Sequence, residues 1–244
     1  MTRAELYRLL HRGSRGDLEF YRRTCHGKRT ILELGSGYGR VLRALAEPNR
    51  HLVGIERDGA LRRMARREIR SLPGSVEVVA GDMRTFELDA SFERILVPYS
   101  GIYCLTSKRD LVRCLRRVRR HLAPGGQLVF DAYRADRFHA LGDPRTPDGE
   151  EPLVTLDVDG RIGDVFESSR WSRSRQRLDV EYDLVTRGSR RRVSIRIAQR
   201  YWLDSEVDRL LARAGLRALS IRGGFHDRPL GPRSEVRVVR AVAA

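Results

Sequence analysis

The stretch Ile31-Leu32-Glu33-Leu34-Gly35-Ser36-Gly37-Tyr38-Gly39-Arg40 constrains the fold more than any other, because an acid-bearing apolar run opens into three glycines spaced two apart. Such a run predicts a β-strand, a tight turn and a helix start. Glycine has no Cβ, so it takes positive φ angles and lets a ligand lie against bare peptide, while the helix that follows offers unpaired N–H groups. For the glycines alone, a turn that holds nothing is the plainer alternative.

The next hundred residues keep a strand–helix rhythm. Leu52-Val53-Gly54-Ile55-Glu56 is a second apolar strand ending in an acid, and Val76-Glu77-Val78-Val79-Ala80 is a third, followed by Gly81-Asp82-Met83. Phe92 to Pro98 makes a fourth, Ser107 to His121 a basic amphipathic helix, and Pro124-Gly125-Gly126 a turn into a fifth strand, Gln127 to Asp131. Near-continuous apolar strands alternating with helices predict an α/β fold with a parallel, doubly wound sheet covered on both faces. Ligands of such sheets bind beyond the carboxyl ends of the strands, where Glu33, Glu56, Asp82, Pro98 and Tyr99 would converge.

The glycine spacing narrows the ligand. A dinucleotide turn reads G-x-G-x-x-G, whereas here Gly39 comes one residue early and Arg40 stands where the last glycine belongs. Glu33 would repel a pyrophosphate but pairs with an ammonium group. The pattern Glu33-x-Gly35-x-Gly37-x-Gly39 resembles the first motif of the class I S-adenosylmethionine (SAM)-dependent methyltransferases. That resemblance implies a Rossmann-like, seven-stranded, mostly parallel sheet with a C-terminal β-hairpin, SAM as cofactor and S-adenosylhomocysteine as product. It implies a cofactor set of Glu33, Gly35, Ser36, Gly37, Gly39, Arg40, Glu56, Arg57, Asp82, Met83 and Pro98. Within that set Glu56 meets the ribose hydroxyls, Asp82 the adenine amino group and Met83 the ring. Asp82 is equally suited to an N-cap or a turn. The family commonly has a smaller residue at position 38, so Tyr38 either crowds the methionine tail or offers it a hydroxyl.

Both ends of the chain bear on the acceptor. Ala4 to Cys25 carries Tyr7, Leu10, Leu18 and Tyr21 near helical spacing, broken at Gly13-Ser14-Arg15-Gly16, which predicts two short helices. Gly16-Asp17-Leu18-Glu19-Phe20-Tyr21, with Gly39-Arg40-Val41-Leu42, resembles the small-molecule N-methyltransferases of the glycine and sugar-amine type, in which this segment is a lid. Residues 1–28 are therefore expected as a helical lid, and 29–142 with 203–244 as the SAM-binding domain. Residues 143–202 are expected as an antiparallel β insertion after strand five, covering the acceptor or joining a dimer. Asp143 to Pro152 reads as a loop, and Val154 to Trp202 alternates polar and apolar residues. Asp204 to Ala214 returns to helix with Gly215 as its cap, and Leu216–Arg222 and Val236–Ala243 form the closing hairpin.

Methyl transfer from a sulfonium is an in-line displacement with an uncharged leaving group, for which alignment alone is worth about 7 kcal/mol or more. An amine acceptor needs no dedicated base, which favours nitrogen over oxygen; a hydroxyl would want one, and His226 or His139 is placed to supply it. Tyr7 and Tyr21 are candidates to orient the methionine carboxylate or the acceptor, with Tyr21, Tyr99 and His226 as the catalytic set. Tyr99, Tyr103, Asp131, Arg200 and His226 form the substrate set. Each has a blander role: half-buried packing for the tyrosines, a cap for Asp131, a surface ion pair for Arg200 and a solvated loop for His226.

The formal charge of +16 suits an anionic partner, yet all basic residues but Lys28 and Lys108 are arginines spread along the chain. Arg116-Arg117 with Arg119-Arg120, and Arg190-Arg191-Arg192, read as solvent-facing surface, without aromatic interleaving. A nucleic-acid methyltransferase is the first alternative, opposed by Val97-Pro98-Tyr99-Ser100, which lacks an N-P-P-Y or D-P-P-Y motif. A catalytically silent SAM-binding partner protein is the second. Cys25, Cys104 and Cys114 show no metal or disulfide pattern, so no metal is expected. The absence of a signal-like or membrane-spanning run in these 244 residues leads to the expectation of a cytoplasmic enzyme, with a homodimer in view. The acceptor is expected to be a small molecule, with an anionic one in view.

Overall fold

Runs of Val, Ile and Leu that are apolar on both faces can be buried only inside a sheet layered between helices. In the computed structural model, which describes residues 1–142, 152–158 and 160–244, these runs become β1 (Thr30–Leu34), β2 (His51–Glu56), β3 (Ser75–Ala80), β4 (Phe92–Val97) and β5 (Leu122–Tyr133). With β10 (Leu216–Arg222) and β11 (Val236–Ala243) they form a seven-stranded sheet of order β10-β11-β5-β4-β1-β2-β3. The first five strands pair in parallel, while β11 runs antiparallel to both β5 and β10. This is the Rossmann-like arrangement with the closing hairpin that the sequence predicts. The Pro124-Gly125-Gly126 segment differs from expectation. It lies inside β5 as an irregularity, where the register moves from Phe92↔Leu122 to Arg94↔Gln127 and Gly125 takes φ 71°.

The chain sorts into two units, and this sheet belongs to the one made of Gly13–Arg134 and Leu203–Ala244. Its core runs from Phe20, Tyr21 and Cys25 of helix α2 (Asp17–Cys25) through Ile31, Leu52 and Val78 of the strands to Val41, Leu42 and Leu45 of α3 (Arg40–Leu45). Helix α4 (Gly59–Glu68) starts at the Asp58 cap, whose carboxylate accepts from the N–H groups of Ala60 and Leu61. Helix α5 (Lys108–His121) starts at Ser107, whose hydroxyl accepts the Asp110 N–H, and buries Leu111, Cys114, Leu115 and Val118 at helical spacing. Strand β1 sits at the centre, between β4 and β2, so the direction of strand order reverses beside its carboxyl end. That reversal opens a crevice.

The other unit comprises Met1–Arg12 and Ala135–Trp202. Four antiparallel strands, β6 (Val154–Val158), β7 (Arg161–Ser172), β8 (Arg177–Thr186) and β9 (Arg192–Arg200), present one apolar face made by Val165, Leu184 and Ile195. Leu6, Tyr7 and Leu10 of α1 (Arg3–Leu10) pack on it. The opposite face carries cross-strand ion pairs such as Arg187–Asp164, Arg192–Asp183 and Arg196–Glu181. The two amino-terminal helices thus part company: α1 joins the antiparallel sheet, and α2 joins the parallel one. A short helix α6 (Asp136–Leu141) follows β5, where the sequence rhythm gave no sign of one; none of its residues is fully buried, and Phe138 packs half-buried on Trp171 and Tyr201. The loop expected over residues 143–152 lies outside the described residues but for Pro152. Among the described residues, no helix is long and apolar enough to cross a membrane.

Within the parallel-sheet unit, Arg50 is a buried structural cation that joins the ends of α2 and α3 to the segment before β1. Its guanidinium donates to the carbonyls of Lys28 at 2.9 Å, Leu45 at 2.6 Å and Cys25 at 3.0 Å, and pairs with Glu47 at 2.8 Å. Two of those carbonyls end helices: that of Leu45 closes α3, and that of Cys25, which also accepts the Lys28 N–H at 3.0 Å, closes α2. Replacing Arg50 by Met should strip the Leu45 carbonyl of its Arg50 donor, weaken the other two contacts and lower unfolding stability by about 3 kcal/mol or more, read as a fall in the urea midpoint. Arg50→Lys should recover only part of the loss, since a point charge cannot reach three carbonyls in the fork geometry.

Candidate active site

The crevice beside β1 is built from the glycine loop upward. Gly35, Gly37 and Gly39 take φ values of 68°, 57° and 82°, in the left-handed region that a Cβ disfavours. The N–H groups of Gly35 and Ser36 both donate to the Ile55 carbonyl, at 2.8 and 3.0 Å, which pins the loop over the end of β2. Glu56, the last residue of β2, accepts from Gly37 N–H at 2.8 Å through one oxygen and from Asp58 N–H at 2.7 Å through the other. Met83 lies over the loop: a Cβ added to Gly35 would stand 3.1 Å from its methyl carbon. The Ser36 hydroxyl is tucked against Gly54 of β2.

Glu33 is the electrostatic centre. It points from β1 into a place where only 3% of it meets solvent, and its Oε2 has no hydrogen-bond partner among the described residues. Desolvation pushes its carboxyl up to about 8; the Arg40 charge and the Leu42 N–H oppose the rise, and the Glu56 and Asp17 carboxylates add to it. Arg40 grips Asp17 of α2 with two bonds, of 3.0 and 2.6 Å, so the glycine-loop helix and the amino-terminal helix are clamped by one ion pair. A buried carboxylate oxygen without a partner, beside three residues of bare peptide, fits a ligand that brings an ammonium group to Glu33.

The far side of the crevice is the turn after β4. Pro98 is buried there, and Tyr99 and Ser100 follow with φ 53° and 56°, left-handed in spite of their side chains. Asp131, inside β5, accepts from the Tyr21 hydroxyl at 2.5 Å and the Tyr99 N–H at 2.9 Å. Burial pushes its carboxyl up to about 6, and those donors hold it down. Tyr99 is 38% exposed, whereas Tyr21 is fully buried with its hydroxyl committed to Asp131.

The remaining predicted residues fall into four groups. Arg57 and Asp82 stand together at the ends of β2 and β3, 3.9 Å apart. Arg84 forks onto Asp82 with bonds of 2.9 and 2.6 Å and holds its carboxyl below the ordinary range. Tyr103 is fully buried, its hydroxyl donating to the Tyr133 carbonyl at 2.8 Å and accepting from Arg237 at 2.7 Å, so in this structure it packs rather than lines a surface. His226 is exposed in the turn after β10, near Gly16. Tyr7, His139 and Arg200 belong to the unit of the antiparallel sheet. There Tyr7 stacks on His11 at 4.1 Å, His139 bonds the Tyr201 hydroxyl at 2.9 Å, and Arg200 lies over the Trp202 ring at 4.8 Å. Sequence reasoning missed the Asp17–Arg40 clamp and the Arg84 fork. The first joins residues far apart in sequence, and no local pattern announces it. The second has only the spacing Asp82-x-Arg84 as a signal.

Residues 31–126 match the model of a family described as a methyltransferase domain. The chain is 27% identical over 217 residues to the Cypemycin N-terminal methyltransferase of a Streptomyces species, covering 86% of this chain and 82% of that one. It is 30% identical over 138 residues to the dTDP-3-amino-3,6-dideoxy-alpha-D-glucopyranose N,N-dimethyltransferase of Streptomyces fradiae, covering 53% of this chain and 52% of that one. Among solved structures, the CcbJ methyltransferase from Streptomyces caelestis superposes with a TM-score of 0.77 at 21% identity, covering 94% of this chain and 89% of that one. That likeness establishes the fold.

Glu33 generates a stability test that needs no ligand. Its folded carboxyl titrates near 8 against an ordinary 4.5, so its stabilising contribution is complete below 4.5 and is lost as pH rises through 8. Glu33→Gln should remove that loss and raise the melting temperature of the ligand-free protein at pH 8.5 by about 2–4 °C or more. At pH 4.5 the two proteins should melt together. Calorimetric scans at the two pH values check both halves.

Proposed function

This chain is a SAM-dependent methyltransferase of class I, and from that premise we propose that it transfers the methyl group of SAM to an amine nitrogen of a small molecule. The observation that carries the reading is the unpartnered Oε2 of buried Glu33 beside the glycine loop. In this reading Glu33 takes the ammonium of the methionine moiety, and the loop peptide of Gly35, Gly37 and Gly39 backs it. Glu56 accepts from the ribose, Asp82 with Met83 receives the adenine, and Ser36, Arg40, Arg57 and Pro98 complete the cofactor set. Bound SAM supplies an electrophilic methyl group on a cationic sulfur.

The protein's own part is to hold, align and exclude water. An acceptor amine must arrive unprotonated, and no base needs to touch it once the nitrogen is in line with the sulfur–methyl bond. Nitrogen as the target is supported by relatives that are themselves named as an N-terminal methyltransferase and an N,N-dimethyltransferase. A phosphate-bearing acceptor, such as a nucleotide-linked amino sugar, would in addition be drawn by the formal charge of +16. Tyr7 and His226 are retained as candidates for orienting cofactor and acceptor, and Arg200 for an anionic group of the acceptor.

The direct test is formation of S-adenosylhomocysteine from SAM in the presence of dTDP-3-amino-3,6-dideoxyglucose or of a peptide with a free amino terminus. A mass increase of the acceptor by one or two methyl groups is the expected result. No turnover with either amine, together with methylation of RNA, would overturn the proposal. Glu56→Ala and Asp82→Ala should each weaken SAM binding by about tenfold or more in titration calorimetry, with circular dichroism unchanged. Unaltered affinity in both variants refutes the cofactor assignment.

A further inference from the structure

We propose that Asp131 is a positioning residue for methyl transfer: its buried carboxylate fixes helix α2 and the left-handed Tyr99–Ser100 turn to each other, and so sets where the Tyr99 side chain stands. The inference rests on the methyltransferase reading and goes beyond it, since it assigns a role to a group that need not touch cofactor or acceptor. A single oxygen, Asp131 Oδ1, receives the Tyr21 hydroxyl at 2.5 Å and the Tyr99 N–H at 2.9 Å. It therefore joins α2, β5 and the end of β4.

The turn is laced to β5 from both sides. Ser100 N–H donates to the Asp131 carbonyl at 3.2 Å, and Tyr133 N–H donates to the Ser100 hydroxyl at 3.0 Å. Two consecutive residues bearing side chains hold φ near 55° here only because the surroundings over-determine them. The turn matters because it ends β4 at the crevice and leaves Tyr99 38% exposed. Tyr21, fully buried, acts through Asp131.

The groups facing Asp131 are Asp17 and Tyr21 from α2, together with the backbone of Tyr99 and Ser100 from the turn; Val238 lies opposite it on β11. Glu33 of β1 faces Tyr21, and Arg40 of α3 faces Tyr99. Asp131 titrates near 6, and its ionised form is the one that holds both donors best. The lock therefore loosens as pH falls through about 6.

Tyr21→Phe, Asp131→Ala and Asp131→Asn test this with SAM and dTDP-3-amino-3,6-dideoxyglucose. Tyr21→Phe and Asp131→Ala should lower kcat about 10–100-fold while the Kd for SAM stays within about threefold of wild type. Asp131→Asn keeps an accepting oxygen without the charge, so it should lose the decline in kcat that the wild type shows below pH 6. Independently of any acceptor, hydrogen exchange at the Tyr99 amide of the SAM-free protein should accelerate about tenfold or more in Asp131→Ala. An unchanged kcat in both Tyr21→Phe and Asp131→Ala overturns the proposal, as does a SAM Kd that rises in step with the lost rate, or unaltered Tyr99 exchange. If the wild type ignores this acceptor, that bears on the choice of acceptor alone, and the exchange measurement decides the positioning claim. Should Asp131→Ala fail to fold, exchange at Tyr99 and along α2 in Tyr21→Phe takes its place.

Discussion

The attachment of the glycine loop to the end of β2 is the constraint on which the site depends. One carbonyl, that of Ile55, accepts from two successive loop N–H groups, and one carboxylate, that of Glu56, accepts from a third. Three left-handed glycines make the bend possible, and these bonds choose one bend among many. Everything else at the crevice is located relative to that bend, from the start of α3 to the Met83 side chain over Gly35. A side chain at Gly35 would meet both a backbone penalty and Met83.

Burial of acid is the second theme. Glu33, Glu56, Asp131 and Asp17 are each less than a tenth exposed, at 3%, 8%, 2% and 3%, and Arg40 sets a guanidinium among them. Charges so placed are costly unless paired. The protein meets that cost with donors on Glu56 and Asp131 and a bidentate partner on Asp17, and by favouring the neutral form of Glu33 near neutral pH. A cationic ligand changes the balance at Glu33 from liability to attraction.

The parallel sheet was legible because its strands are apolar on both faces and its turns are marked by glycine, so Ile31, Leu52 and Ile95 announce their own burial. The closing hairpin and the antiparallel insertion were legible from period-two alternation, as in Val180, Tyr182 and Leu184. The site was legible only where chemistry is local. Glu33 with its glycines, and Glu56 at a strand end, are short patterns with a physical reason for their spacing. The Arg40–Asp17 clamp, the Tyr21–Asp131 bond and the burial of Tyr103 are products of folding between segments up to 134 residues apart. No window of sequence contains both partners. Pro124-Gly125-Gly126 misled for the opposite reason, since the same residues that make a turn also make a strand irregularity.

The division of the amino-terminal helices has a consequence for how this architecture can be rearranged. Helix α1 precedes the parallel sheet in sequence but gives Leu6, Tyr7 and Leu10 to the apolar face of the antiparallel one. Grafting or deleting the inserted strands as a module would leave those three side chains greasy and homeless at the beginning of the chain. Any minimal catalytic core, or any swap of insertions between homologous enzymes, must move the first dozen residues along with the insert, as one cassette encoded in two places.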